Sequence, residues 1–109
     1  MKKIEYIQVQ TTFPNAMEAS RVSKLLVKEK LAGCVQVIPG VSSHYDWQGA
    51  LDEALEVLVL IKTHQSLFGA VSELIQREHS YDTPELIATP IVEIGDDYAK
   101  WLKEVVSAP

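Results

Sequence analysis

The pair Glu78-His79, followed at a short distance by Glu85, is the group of side chains in this sequence best suited to chemistry. An imidazole can transfer protons or bind a metal ion near neutral pH, and the two carboxylates could assist either task. A histidine at the end of a helix can instead bond the last carbonyl groups and stabilise the helix dipole. Spacing alone favours this structural role, because one histidine with nearby acids falls short of the ligand number of a defined metal site.

The other reactive side chains give weaker signals. His44 lies on the polar face of a predicted strand, which is typical of a solvated or interfacial side chain. His64 lies at the start of a predicted helix, where we expect a surface or capping residue. Cys34 follows a helix C-terminus, where the dipole disfavours a thiolate, so we expect a buried structural thiol. The sequence has no nucleophile motif, phosphate loop or paired-cysteine zinc spacing. It therefore predicts a protein that is not an enzyme.

Composition indicates a single soluble domain spanning residues 1–109, with 47% hydrophobic and 23% charged residues. The formal net charge of −5, with scattered Lys and Arg, offers no basic surface for nucleic acid. No apolar stretch approaches the ~18 residues of a membrane span, and the N-terminus reaches acid and amide groups too soon for a signal peptide. A lone cysteine suits a reducing compartment. We expect a cytoplasmic protein with no nucleic-acid or membrane partner.

Hydrophobic periodicity predicts the element order β α β β α β α. With right-handed crossovers, the first six elements form an antiparallel sheet carrying two helices on one face, which is an α+β, ferredoxin-like βαββαβ fold with an extra C-terminal helix. Asn15 predicts the first helix start and Gly33 its stop. The predicted strands cover residues 4–12, 33–47, 52–63 and 85–94, and the predicted later helices cover residues 67–79 and 96–105.

The second and third strands form a hairpin that is too long for its chain. Strands usually have about five or six residues, and this pair has roughly twice that length. Pro39-Gly40 interrupts the alternation and predicts a bulge that tilts the outer half away from the sheet. Leu58 and Leu60 lie on the sheet face that the two helices leave uncovered. Both features predict an oligomer, with Tyr45 and Trp47 packing on a neighbouring subunit or forming an aromatic ligand platform.

Four stretches, in this order along the chain, resemble the CutA family of divalent-cation tolerance proteins. They are residues 31–49 (LAGCVQVIPGVSSHYDWQG), 56–63 (EVLVLIKT), 79–85 (HSYDTPE) and 98–102 (YAKWL). The resemblance covers almost the whole chain. It implies a ferredoxin-like subunit in a homotrimer similar to the PII signalling proteins, in which the long hairpins reach neighbouring subunits.

The resemblance also implies a role in divalent-ion tolerance or response, with copper or another divalent cation as the candidate ligand. Copper-binding relatives are proposed to use a cysteine at the end of the first strand and two adjacent histidines at the end of the second helix. Here those positions hold Thr11, Glu78 and His79, so one of the three matches. Without the thiolate, the remaining groups suit Cu(II) or Zn(II) better than Cu(I). Ser80 replaces the usual proline that follows.

Two alternatives to metal binding remain open. One is a PII-like sensor of a small anionic or polar metabolite, bound in clefts between subunits near Tyr45, Trp47, Tyr81 and Glu85. The other is a trimeric scaffold for protein partners. Both rest on analogy between folds, which says little about function by itself.

Overall fold

The computed structural model describes residues 3–107 and has the predicted α+β architecture. A 3-10 turn, Gln65–Leu67, precedes the second helix. The strands are β1 (Tyr6–Phe13), β2 (Cys34–Trp47), β3 (Ala50–His64) and β4 (Ile87–Pro90), and the helices are α1 (Ala16–Lys28), α2 (Phe68–Glu78) and α3 (Asp96–Val105). None of the helices in the described range is both long and apolar enough to cross a membrane.

The sheet has the strand order β2-β3-β1-β4, and all of its neighbouring strands are antiparallel. This is the order of a ferredoxin-like βαββαβ unit, so the predicted topology is confirmed. One face packs against α1 and α2. Its core combines alternate residues of the central strands with the apolar stripes of both helices: Ile7, Val9, Phe13, Val57, Val59, Ile61, Val22, Leu26, Val71, Leu74 and Ile75.

The opposite face of the sheet is covered at one end by α3. There the hydroxyl of Tyr6 on β1 lies 3.4 Å from the carbonyl oxygen of Ala99 in α3. Burial, with Cys34 at the start of β2 adding to the effect, raises the pKa of Tyr98 in the same helix. The predicted bare face is therefore smaller than expected, because α3 packs on it. Leu58 and Leu60, further along β3, are half-buried.

The hairpin projects beyond the sheet as predicted. Pairing of β1 with β3 ends at Phe13 and Val57, so residues 41–56 pair only with each other. We call this segment the arm. A register shift between Ile38 and Val41 marks its base, where Gly40 has φ +79°. The tip is tighter than predicted: Gln48 and Gly49 alone form the turn, both with positive φ, as two-residue hairpin turns require.

Helix α1 begins as predicted and ends earlier than predicted. Asn15 Oδ1 accepts the Glu18 amide hydrogen bond at 2.9 Å, which caps the first turn. The helix stops at Lys28, and Lys30 takes the left-handed conformation (φ 60°) that ends many helices. Gly33 therefore does not stop α1. A Cβ atom there would lie 2.3 Å from a methyl carbon of Leu102, so glycine permits the close approach of α3.

The fourth strand is much shorter than the predicted residues 85–94. It pairs over four residues and lies at an edge of the sheet, bonded to β1 alone. It ends at Pro90, although the amide of Ile91 still donates to the carbonyl oxygen of Tyr6 on β1 at 3.0 Å. Residues 81–86 instead form an irregular loop that reaches back toward the arm.

Candidate functional site

His79 is buried where α2 ends, with both ring nitrogens hydrogen-bonded inside the chain. Its Nδ1 accepts the amide hydrogen of Tyr81 at 3.0 Å, so Nε2 carries the proton and donates to the carbonyl oxygen of Thr12 at 2.7 Å. The ring stacks on Phe13 at a centroid distance of 4.4 Å and contacts Tyr81 at 4.9 Å. In this arrangement the imidazole has no free lone pair for a metal ion.

Glu78, the neighbouring predicted ligand, points to α1. Arg21 donates from Nη1 to its carboxylate at 2.7 Å and from Nη2 to its carbonyl oxygen at 2.9 Å. Arg77 also reaches the carboxylate, at 3.3 Å. The hydrogen bonds from Arg21, with those from Arg77, lower the pKa of Glu78. This carboxylate joins the two helices and has two cations beside it already.

Thr11, the third predicted ligand, is fully buried on the helix-covered face, and its Oγ1 has no hydrogen-bond partner among residues 3–107. Glu85, a weaker candidate, accepts from Gln10 Nε2 at 2.9 Å. Across residues 3–107, no three side chains of His, Cys, Asp or Glu converge as a metal cluster. The set Thr11, Glu78 and His79 therefore does not fit a metal ion in this conformation, because one member is engaged at both nitrogens and another is neutralised by arginine.

A cavity of about 750 Å³ lies along the arm, from Glu56 at its base to Trp47 beside its tip. The arm, the end of β1 and the irregular loop after α2 each contribute a wall. The lining residues are Thr12, Ser43, His44, Tyr45, Trp47, Asp52, Glu56, Tyr81, Thr83, Pro84 and Glu85. Tyr45, Trp47, Tyr81 and Glu85, the candidate contacts for a metabolite, thus lie around one space.

His79 connects two of these walls, the end of β1 and the loop after α2, by hydrogen bonds from outside the cavity. Through Nε2 it binds the backbone of Thr12, and through Nδ1 it binds the backbone of Tyr81. From there the Tyr81 hydroxyl donates to Glu56 Oε2 on the arm at 3.0 Å. Ser80, beside His79, donates to Glu18 on α1 at 2.9 Å. The residue selected from the sequence as a ligand is thus a positioning residue for the cavity.

The cavity is electronegative. Asp52, Glu56 and Glu85 line it, whereas none of its lining residues is Lys or Arg. Desolvation and the hydrogen bond to Glu56 raise the pKa of Tyr81 to about 12. Desolvation raises the pKa of Tyr45 as well, with Asp52 and Glu56 adding to the effect. Both phenols are neutral donors at physiological pH.

Sequence reasoning missed Glu56 and Asp52 as site residues. The available signal was Glu56 itself, a carboxylate on the same strand face as Leu58 and Leu60. A charged side chain in a row of apolar residues indicates either that the strand ends there or that the charged group is buried against a hydrogen-bonding partner. Only the loop that brings Tyr81 over the arm distinguishes the two.

Topology and extended hairpin together define a ferredoxin-like α+β protein with a projecting arm. Residues 7–105 match the family model described as "CutA1 divalent ion tolerance protein". The chain belongs to that family.

Relatives with curated names agree with this assignment. The chain is 41% identical over 102 residues to "Protein CutA, chloroplastic" of Arabidopsis thaliana, a match that covers 94% of this chain and 56% of the relative. It thus spans just over half the length of that plant protein. It is also 41% identical over 96 residues to "Divalent-cation tolerance protein CutA" of Thermus thermophilus, covering 88% of this chain and 93% of the relative.

Solved structures show the same fold. CutA1 from Oryza sativa superposes with a TM-score of 0.94 at 38% identity, covering 97% of each chain. The divalent cation tolerance protein from Thermus thermophilus superposes with a TM-score of 0.92 at 38% identity, covering 94% of this chain and 99% of the other. The resemblance derived from four sequence stretches is thereby confirmed along with the fold.

Proposed function

We propose that this protein is a cytoplasmic homotrimer that serves divalent-ion tolerance without catalysing a reaction. Membership of the CutA1 divalent ion tolerance family, matched over residues 7–105, carries the tolerance role. The proposal of no catalysis rests on the lack of a nucleophile motif in the sequence, and that of a cytoplasmic location on the single cysteine, which suits a reducing compartment.

The arm supports the homotrimer. Leu51 and Leu55 lie on one face of it and are 84% and 70% exposed. An apolar row of this kind on a hairpin with no neighbouring strand is a surface for another chain. Three copies with their arms against one another would cover this row.

We propose that the tolerated ion is copper or another divalent cation. A site built from Thr11, Glu78 and His79 would require the His79 ring to leave both of its hydrogen bonds. We therefore propose that divalent-ion tolerance does not depend on an ion bound by these three residues.

Calorimetric titration with Cu(II) tests this part of the proposal. Wild type and His79→Ala should give the same binding heats, since the imidazole has no lone pair to offer. Arg21→Ala, which leaves the Glu78 carboxylate bonded to Arg77 alone, is a second comparison and should likewise leave the binding heats unchanged. A stoichiometric heat in wild type that is lost in His79→Ala would contradict the proposal and restore His79 as a ligand.

A second candidate function is a sensor for a small ligand. The observation that favours it is the 750 Å³ cavity, which brings together the four residues selected for that role. Its size lies within the range of small-molecule sites, about 300–1,000 Å³. A thermal-shift screen of metabolites should find a stabilising ligand whose effect is lost on Trp47→Leu. A screen with no such ligand would favour the third possibility, a scaffold for protein partners.

A further inference from the structure

Glu56 is the most unusual residue in the cavity wall. Its side chain is on the arm, yet it is only 7% exposed. It accepts one hydrogen bond, from the neutral hydroxyl of Tyr81 at 3.0 Å. Within residues 3–107 no Lys, Arg or His forms an ion pair with it. A buried carboxylate without a cation is costly, so this position favours a positively charged partner from outside the chain.

The other residues that line the cavity also favour a positively charged ligand. Asp52 and Glu85 add two carboxylates, and Gln10 occupies one oxygen of the latter. His44, the remaining titratable group with basic character, lies 3.2 Å from Glu53, which is on the opposite face of the arm from Glu56. Anionic ligands such as phosphates or carboxylic acids would meet repulsion here. The metabolite expected from the sequence as anionic or polar is thus narrowed to a cation.

Aromatic rings decide between an organic cation and a metal ion. Tyr45, Trp47 and Tyr81 line the same space. Indole and phenol faces attract ammonium groups and also pack against carbon chains. A metal ion would need three or more convergent ligands, and the described residues form no such group. An ammonium ion needs only a carboxylate and an aromatic wall.

We infer that this cavity binds a small organic ammonium ion, with its charge against Glu56 and Asp52 and its carbon body on Tyr45 and Trp47. This inference rests on the sensor candidate above and names its ligand class. Tyr81 donates its hydroxyl hydrogen to Glu56 and so orients the carboxylate. His79 acts through Tyr81 and the backbone of Thr12 as a positioning residue.

Binding of benzylammonium, measured by calorimetry, tests the inference. Two compounds of similar shape serve as controls: benzyl alcohol, which is uncharged, and benzoate, which is an anion. Wild type should bind benzylammonium saturably and neither of the others. Glu56→Gln keeps an acceptor for Tyr81 but removes the charge, and it should weaken binding by about tenfold or more. Glu53→Gln removes a carboxylate that is on the arm but outside the cavity, and it should leave the dissociation constant within about twofold.

Trp47→Leu is the second variant, chosen because Trp47 is 58% exposed and its replacement should not disturb folding. It should weaken benzylammonium binding several-fold. Equal affinity in wild type and both cavity variants would overturn the inference. Saturable binding of benzoate or benzyl alcohol instead would overturn the ligand class and leave the sensor candidate standing. No saturable binding of any of the three would remove the ammonium site, while the metabolite screen decides the sensor candidate separately.

Discussion

The imidazole of His79 fastens three backbone segments that meet beside the cavity: the end of β1, the end of α2 and the loop that follows. Replacing it with Ala removes the stack on Phe13 and leaves the Thr12 carbonyl and the Tyr81 amide without their partner. We expect His79→Ala to lower the free energy of unfolding by about 2–4 kcal/mol in urea titrations. His44→Ala, at an exposed position, serves as the control and should change it by about 0.5 kcal/mol or less.

The phenol of Tyr81 makes stability depend on pH in the alkaline range. Its pKa is about 10 in an unfolded chain and about 12 in the folded protein. The folded state therefore holds the proton more tightly, so this contribution to the free energy of unfolding is fully present below about pH 10 and is lost as the pH rises toward about 12. Tyr81→Phe should remove that part of the pH dependence. Absorbance of tyrosinate, compared between wild type and variant, should show that Tyr81 ionises near pH 12; ionisation of this phenol near pH 10 would contradict the assignment.

Residue types identified some of this site and missed the rest. The sequence placed His79 at a helix end beside acids, and helix-end capping was the favoured role from spacing alone. It could not give the tautomer, because the partners at Thr12 and Tyr81 come from outside the helix. The sequence offers Tyr45 and Trp47 either as a contact with a neighbouring subunit or as a ligand platform, and it does not decide between the two. Glu56 was not, since its burial depends on a loop that has no regular secondary structure.

At the scale of elements, the contact between α3 and the start of β2 requires glycine at position 33. We expect Gly33→Ala to destabilise the protein by about 1–3 kcal/mol, because the new methyl group would overlap the fully buried Leu102. Gly69→Ala is a matched control within α2, where nothing lies within 4 Å of the added Cβ. That change should stabilise the helix by roughly 0.5–1 kcal/mol. Thermal unfolding of both variants measures the pair, and equal shifts in the same direction would contradict the packing argument.

Element boundaries were predictable where a local signal sets them. Asn15 begins α1 and the Pro39-Gly40 bulge starts the arm, both as read from the sequence. Tertiary contacts set the others. Gly33 looked like a helix stop, yet its lack of a side chain serves α3, which lies far along the chain. The fourth strand, predicted over residues 85–94, pairs with β1 alone and over four residues.

At the scale of the whole molecule, the exposed apolar side chains of the arm should mediate assembly, so charged residues in their place should weaken it. We expect Leu51→Lys combined with Leu55→Lys to convert the proposed homotrimer into single chains, measured by size-exclusion chromatography with light scattering. Met17→Lys is the control, since Met17 on α1 has the same 84% exposure as Leu51 but lies away from the arm. Three chains per particle in the double variant would contradict the role of the arm, and one chain in wild type would contradict the trimer.

The internal pairing of the arm also bears on the order in which the chain folds during synthesis. Arm partners are at most as far apart as Val41 and Glu56, whereas β1 must find β3 across distances such as that from Tyr6 to His64. Short hairpins close in about 1–10 μs, and longer closures lose more chain entropy. The arm can therefore form on a ribosome before β4 and α3 have been made. Newly made chains would then present the exposed Leu51 and Leu55 on one face of the arm while their own sheet is incomplete.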